Sequence, residues 1–156
     1  METPVTRFLD GCGISYVVKP HTRKVYTCEE AAAERGVRLS QIVKSMIGRD
    51  AQGGVHVMLV PGDRTLKLKR VRQVAGGVRI DLLRPDEISD SLGLTVGAIS
   101  PTQLAGRASF YMDHSIFSED FVDISAGIPD AGVELRPQDL ERVLGAVRCD
   151  IISART

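Results

Sequence analysis

The sequence carries no excess charge of either sign: Lys+Arg and Asp+Glu number 20 each in 156 residues. No global field draws such a chain toward nucleic acid or an anionic membrane, so any such contact must rest on a local patch. No apolar run approaches the length that spans a bilayer, and the opening METPVTRFLDG lacks both the charged start and the apolar segment of a signal peptide. A cytoplasmic protein without membrane contact is the expectation. Cys12, Cys28 and Cys149 are odd in number, far apart and in no CxxC spacing, which argues against a disulfide framework and a zinc site and leaves three free thiols. The commonest hydrolase, metalloprotease and nucleotide-binding signatures are missing too: there is no GxSxG, HExxH, GxGxxG or Walker loop. His21, His56 and His114 show no metal-ligand spacing, so neither metal nor cofactor is expected. Asp113-His114-Ser115 contains the residue types of a triad, but neighbours in an extended segment point to opposite faces and cannot form the relay.

What is present reads as one domain over residues 1–156, with 43% hydrophobic residues and a size that buries about two-thirds of the unfolded surface. Thr3 caps a short helix through Asp10, with Phe8 and Leu9 as anchors and Gly11-Cys12-Gly13 as its stop. Ile14 to Val18 reads as a strand. Thr27 and Glu30 stand at capping-box spacing before an alanine-rich helix that runs to Gly36. Ile42–Gly48 and Val55–Val60 read as a hairpin across the turn at 49–54. Leu66–Ala75 has an apolar stripe of Leu68, Val71 and Ala75 and ends at Gly76-Gly77. A strand at Val78–Leu82 precedes a helix from Pro85 to about Gly93, and Ser109–Met112, Phe121–Ser125 and Val133–Leu135 are strand candidates. Pro137 opens a last helix, and Val147–Ile152 closes the chain. This order lacks regular βαβ alternation and predicts an α+β fold: a curved, barrel-like mixed sheet with flanking helices.

Three features carry chemistry. Lys44 lies inside the apolar run Ile42-Val43-Lys44-Ser45-Met46-Ile47, where period-2 reading puts Ile42, Lys44 and Met46 on one face. If that face points inward, the ammonium needs an anion or a carbonyl to meet it; otherwise it buries its stem and snorkels to water. The loop Gly97-Ala98-Ile99-Ser100-Pro101 can present consecutive N–H groups to a carbonyl or an incipient oxyanion. Arg64, Lys67, Lys69, Arg70 and Arg72 place five positive charges in nine residues, either a solvated helix face or a phosphate-contacting patch. Cys28, in the first turn of its helix, sits where a thiolate is favoured, but no base stands near it in sequence.

The chain resembles the YbaK family of aminoacyl-tRNA editing proteins, which includes the editing insertion domain of bacterial prolyl-tRNA synthetases. The resemblance lies in His21 with Val25-Tyr26-Thr27-Cys28-Glu29-Glu30-Ala31-Ala32, in Val43-Lys44-Ser45-Met46, in Val60-Pro61-Gly62-Asp63 and in Val96 through Pro101. It continues through Val133-Glu134-Leu135 and Asp139-Leu140. It implies a YbaK-like deacylase that clears mischarged tRNA in trans, with the acceptor end of that tRNA as partner and an aminoacyl-tRNA synthetase as a further candidate partner. By the same resemblance Lys44 contacts the substrate end of the tRNA, and His21 and the Gly97–Pro101 loop hold the aminoacyl group. The implied substrate is a small amino acid such as Ala or Cys on proline tRNA, hydrolysed with help from the substrate itself. Ala98 stands where many members have glycine, and Gly132 where some cysteine-specific members have aspartate. The rival reading is a non-catalytic tRNA- or synthetase-binding module that kept the pocket.

Overall fold

The computed structural model describes residues 1–154. Its elements run α1 (Pro4–Gly11), β1 (Val17–Pro20), α2 (Cys28–Arg35), β2 (Val43–Asp50), β3 (Val55–Pro61), α3 (Leu68–Val74), β4 (Ile80–Leu82), α4 (Pro85–Leu92), β5 (Ser109–Asp113), β6 (Val122–Ser125), β7 (Ala131–Leu135), α5 (Pro137–Leu144) and β8 (Val147–Cys149), with three short 3-10 turns between them. The α+β class holds. The single curved sheet does not: the strands form a three-stranded antiparallel sheet, β1-β7-β6, and a five-stranded mixed sheet, β4-β2-β3-β5-β8. Both edges of β5 are taken, in parallel register, by β3 and β8, so β6 turns to β7 instead. No closed barrel forms among the described residues, because β4 and β8 are open edges that do not meet.

β3 shows why the layers stack as they do. Every residue from His56 to Pro61 is buried, the mark of a strand covered on both faces. Val57 and Leu59 enter the main core with Leu9 of α1, Ile124 of β6, Val133 of β7 and Leu140 of α5. Met58 and Val60 pack the other way, against Val71 of α3, Ile80 of β4 and Ile151. Truncating a side chain such as Leu59 to Ala costs roughly 2–5 kcal/mol at sites of this kind.

Boundaries shift where a backbone group is already committed. Ile14 belongs to the helix end, its N–H bonded to the Leu9 carbonyl, so extension starts only at Val17. Gly76 and Gly77 both take positive φ, which delays β4 to Ile80. After Cys149 the chain leaves β5: the Ile151 N–H goes to the buried Asp113 carboxylate at 2.8 Å, the Ile151 carbonyl accepts from Lys67 N at 2.7 Å, and Ser153 N donates to the Thr65 carbonyl. Asp113 also accepts from the Ser115 N–H and hydroxyl, a turn cap with His114 outside it. At the far end of the β2–β3 hairpin, His56 bridges Asp50 at 2.8 Å and the Tyr111 hydroxyl at 2.9 Å, which pins the turn to β5. No helix among the described residues is long and apolar enough to cross a membrane.

Candidate active site

A cavity of about 470 Å³ opens between α2, β2 and the loop before the 3-10 turn at Pro101–Leu104. Thr27 caps α2 by accepting from the Glu30 N–H at 3.1 Å, and Ala31 and Ala32 bury its inner face against Val25 and Ile42. That packing brings Cys28 and Arg35, one at each end of the helix, to the cavity wall beside Lys44. Lys44 is half-buried, and its ammonium donates to the Arg64 carbonyl at 3.1 Å. The carbonyl partner that burial demands is therefore present. The other two ammonium N–H bonds meet no acceptor among the described residues.

The loop contributes less than its sequence suggests. Gly97 and Ile99 line the cavity, while Ala98 and Ser100 are buried and their N–H groups are taken by the Thr95 carbonyl and the Gln103 side chain. Pro101 opens the 3-10 turn and is buried as well. The N–H groups of Gly97 and Ile99 have no acceptor among the described residues, so the free donors alternate along the loop rather than running consecutively. Gly97 sits at φ +90°, and a Cβ there would come within 3.0–3.1 Å of Tyr26. Glycine is required for that close approach.

Neither candidate nucleophile nor candidate base is free to act. Burial pushes the Cys28 thiol up, against a smaller lowering by Lys44, so the thiolate favoured by its place at the helix start is not what the cavity stabilises. His21 lines the cavity with both ring nitrogens engaged: Nδ1–H donates to the Pro129 carbonyl at 2.9 Å, and Nε2 accepts from Arg35 Nε at 3.1 Å. This pairing assigns the proton to Nδ1 and removes the lone pair a general base would use. Among the described residues no cluster of His, Cys, Asp or Glu could hold a metal.

Three wall residues escaped the sequence reading. Arg35, with a side chain only 4% exposed, also donates from Nη1 to the Ile124 carbonyl at 3.3 Å. Asp123 is completely buried, and no donor reaches either of its oxygens. Burial, followed by the neighbouring Glu134 carboxylate, pushes its pKa up to about 7 against the pull of Arg35 and Lys19. Ser45 Oγ is buried without a partner. Asp123 had the signal that singled out Lys44, a charge inside an apolar strand, between Val122 and Ile124.

The basic stretch splits in two. Arg64 Nη2 donates to the Ser153 carbonyl at 2.6 Å, Arg70 bonds Asp150 and the Ile152 carbonyl, and Arg72 holds the Ile80 carbonyl through two N–H groups. Lys67 and Lys69 are exposed, and neither side chain makes an ion pair among the described residues.

A family model described as "Aminoacyl-tRNA editing domain" matches residues 22–143, a span that contains the whole cavity wall except His21. The chain is 28% identical to the prolyl-tRNA editing protein ProX of Acetoanaerobium sticklandii, over 88% of this chain and 87% of that protein. It is also 28% identical to the multifunctional Ser/Thr-tRNA deacylase ProXp-y of Escherichia coli, over 84% of this chain and 80% of that one. A crystal structure of a hypothetical protein superimposes with a TM-score of 0.88 at 30% identity, covering 96% of this chain and 99% of the other. The cavity, its half-buried lysine and the family match converge: this chain belongs to the aminoacyl-tRNA editing domain family and is a hydrolase of the aminoacyl-tRNA ester.

Proposed function

We propose that the protein acts in trans on mischarged tRNA, hydrolysing the ester that joins a small amino acid such as Ala or Cys to proline tRNA. The observation that carries this reading is the Lys44 ammonium, held on one carbonyl with two N–H bonds to spare, on the same cavity as the unpaired Gly97 and Ile99 amides. Water adding to an ester carbonyl creates an oxyanion, and preorganised donors in a partly dry cavity stabilise it more than water does. His21 and Cys28 are unsuited to be base or nucleophile, which supports help from the substrate. A ribose hydroxyl of the terminal adenosine orients the attacking water, or the thiol of a mischarged cysteine attacks its own ester. The tetrahedral intermediate then collapses, and the tRNA hydroxyl leaves with a proton. Lys67 and Lys69 contact acceptor-stem phosphates, which positions the tRNA body without reading its bases.

The test is release of free amino acid from proline tRNA charged with Ala, Cys, Ser, Thr or Pro, each also presented on its own cognate tRNA. Catalytic release of at least one small amino acid from proline tRNA, with prolyl-tRNA spared, is the expected result. No release from any member of the panel would overturn the reading.

A further inference from the structure

The floor of the cavity holds an ion pair that is incomplete. Arg35 Nη1 and Asp123 Oδ1 stand 3.9 Å apart, beyond hydrogen-bond reach. Asp123 accepts from no protein donor and its carboxyl lies against that of Glu134, within reach of a shared proton, while the N–H groups of Arg35 other than those on His21 and Ile124 find no acceptor among the described residues. Buried charges with unsatisfied hydrogen-bonding capacity are costly unless a partner completes them. A group that fits between them must both accept from a guanidinium and donate to a carboxylate. A hydroxyl does both; a methyl does neither.

The position suits the side chain of the aminoacyl group. Asp123 pairs as an isolated parallel bridge with Ile42, two residues along the strand direction from Lys44, a distance of about 7 Å at the rise of a β-strand. Lys44, Arg35 and Asp123 line the same cavity, which lets one bound aminoacyl group face the ammonium with its carbonyl and the ion pair with its side chain. Ser45, between Lys44 and Met46, adds a buried hydroxyl without a partner on the same wall. The pair is held in place from behind. Gly132 of β7 lies under the Arg35 guanidinium, and a Cβ there would overlap its Cζ and Nε. Arg35 can lie flat across β7 only because residue 132 has no side chain.

We propose that Arg35 and Asp123 form the subsite that reads the amino-acid side chain, and that they select a hydroxyl-bearing residue over its isostere without the oxygen. The proposal rests on the deacylase reading for the orientation of the substrate, and it names which small amino acid the cavity favours: serine over alanine. The groups that face Asp123 are Arg35 from α2, Lys19 from β1 and Glu134 from β7. Glu134 is bonded to Lys19 at 2.8 Å, which leaves Arg35 as the cation free to share a ligand with Asp123.

The experiment compares binding of two non-hydrolysable probes, 3′-seryl-amido- and 3′-alanyl-amido-3′-deoxyadenosine, to the full chain. The wild type is expected to bind the seryl probe about 10- to 100-fold more tightly, the scale of hydrogen bonds to charged groups. Arg35→Met and Asp123→Asn should each bring the ratio within about three-fold, with circular dichroism confirming the fold. If Arg35→Met fails to fold, Gly132→Ala serves instead, because its methyl displaces the flexible end of Arg35 and leaves the sheet backbone in place; the same loss of preference is expected. Equal affinity of the wild type for the two probes, or an undiminished ratio in the folded variants, would overturn the subsite. Hydrolysis of the corresponding esters separates this from the deacylase reading. A protein that prefers the seryl probe yet hydrolyses neither ester keeps the subsite and loses the activity, whereas one that hydrolyses both esters equally and binds both probes equally keeps the activity and loses the subsite.

Discussion

The cavity and the stretch from Arg64 to Arg72 use cationic side chains in opposite ways. Around the cavity two cations, Lys44 and Arg35, are withdrawn from water and keep donors in reserve. Along the stretch five cations are crowded together, yet Arg64, Arg70 and Arg72 are committed to carbonyls of β4 and of residues 152–153. Density of charge in the sequence thus marks structural ties as often as it marks a ligand. What separates the cavity cations is burial with incomplete hydrogen bonding, because that is where a ligand gains most by arriving.

The sharpest way to break this contrast is at Lys44. Lys44→Ala should lower the deacylation rate by about 100-fold or more, the scale of losing a preorganised charge donor, while the melting temperature changes little. Steady-state release of amino acid from the best substrate of the panel measures it, and wild-type turnover in a folded variant would place Lys44 among the structural cations. On the other side of the contrast, Lys67→Ala with Lys69→Ala should weaken binding to different tRNAs alike and flatten its salt dependence by roughly one unit of slope for each phosphate that is no longer neutralised. Arg70→Ala and Arg72→Ala should instead lower the melting temperature, since each releases a backbone carbonyl that the guanidinium satisfies. A patch in which all four changes have the same effect on affinity and none on stability would erase the distinction.

A smaller effect follows from Asp123. Its folded-state pKa of about 7 lies above the unfolded value of 3.8, so between those values the native state binds more protons than the unfolded one. Stability from this group is then fully present below about pH 4, declines as pH rises through the folded-state value of about 7, and levels off above it. Thermal melts from pH 5 to pH 8 should show that decline, and Asp123→Asn should flatten it; an unchanged slope would mean that Asp123 ionises without cost. The smallest effect is expected from the thiols. Replacing Cys12, Cys28 and Cys149 together by Ser should leave kcat within a few-fold, because burial keeps the Cys28 thiol protonated and no base stands free beside it.

Most of the helices were legible because local signals define them: Thr3 and Thr27 cap as their spacing predicts, and Gly93 and Gly145 end α4 and α5 in the left-handed conformation. The β2–β3 hairpin and Lys44 were legible for the same reason. Sheet partnership was not, since a strand such as Val122–Ser125 carries no record of whether β5 or β7 will be its neighbour. The floor of the cavity was hidden for a related reason. Arg35 in the last turn of α2 reads as an ordinary partner of the helix dipole, and only the juxtaposition of α2 with β6 and β7 shows that it is buried over Gly132 and opposite Asp123.

The carbonyl that anchors Lys44 belongs to Arg64, whose own guanidinium grips the Ser153 carbonyl. Residues 151–153 also clasp Thr65 and Lys67 and bridge Leu66 to Ile152. The end of the described chain therefore works as a strap across the turn that aims the cavity lysine. An affinity tag joined close behind it would tug on the ammonium through two bonded links, while the same tag before α1 would leave that turn alone.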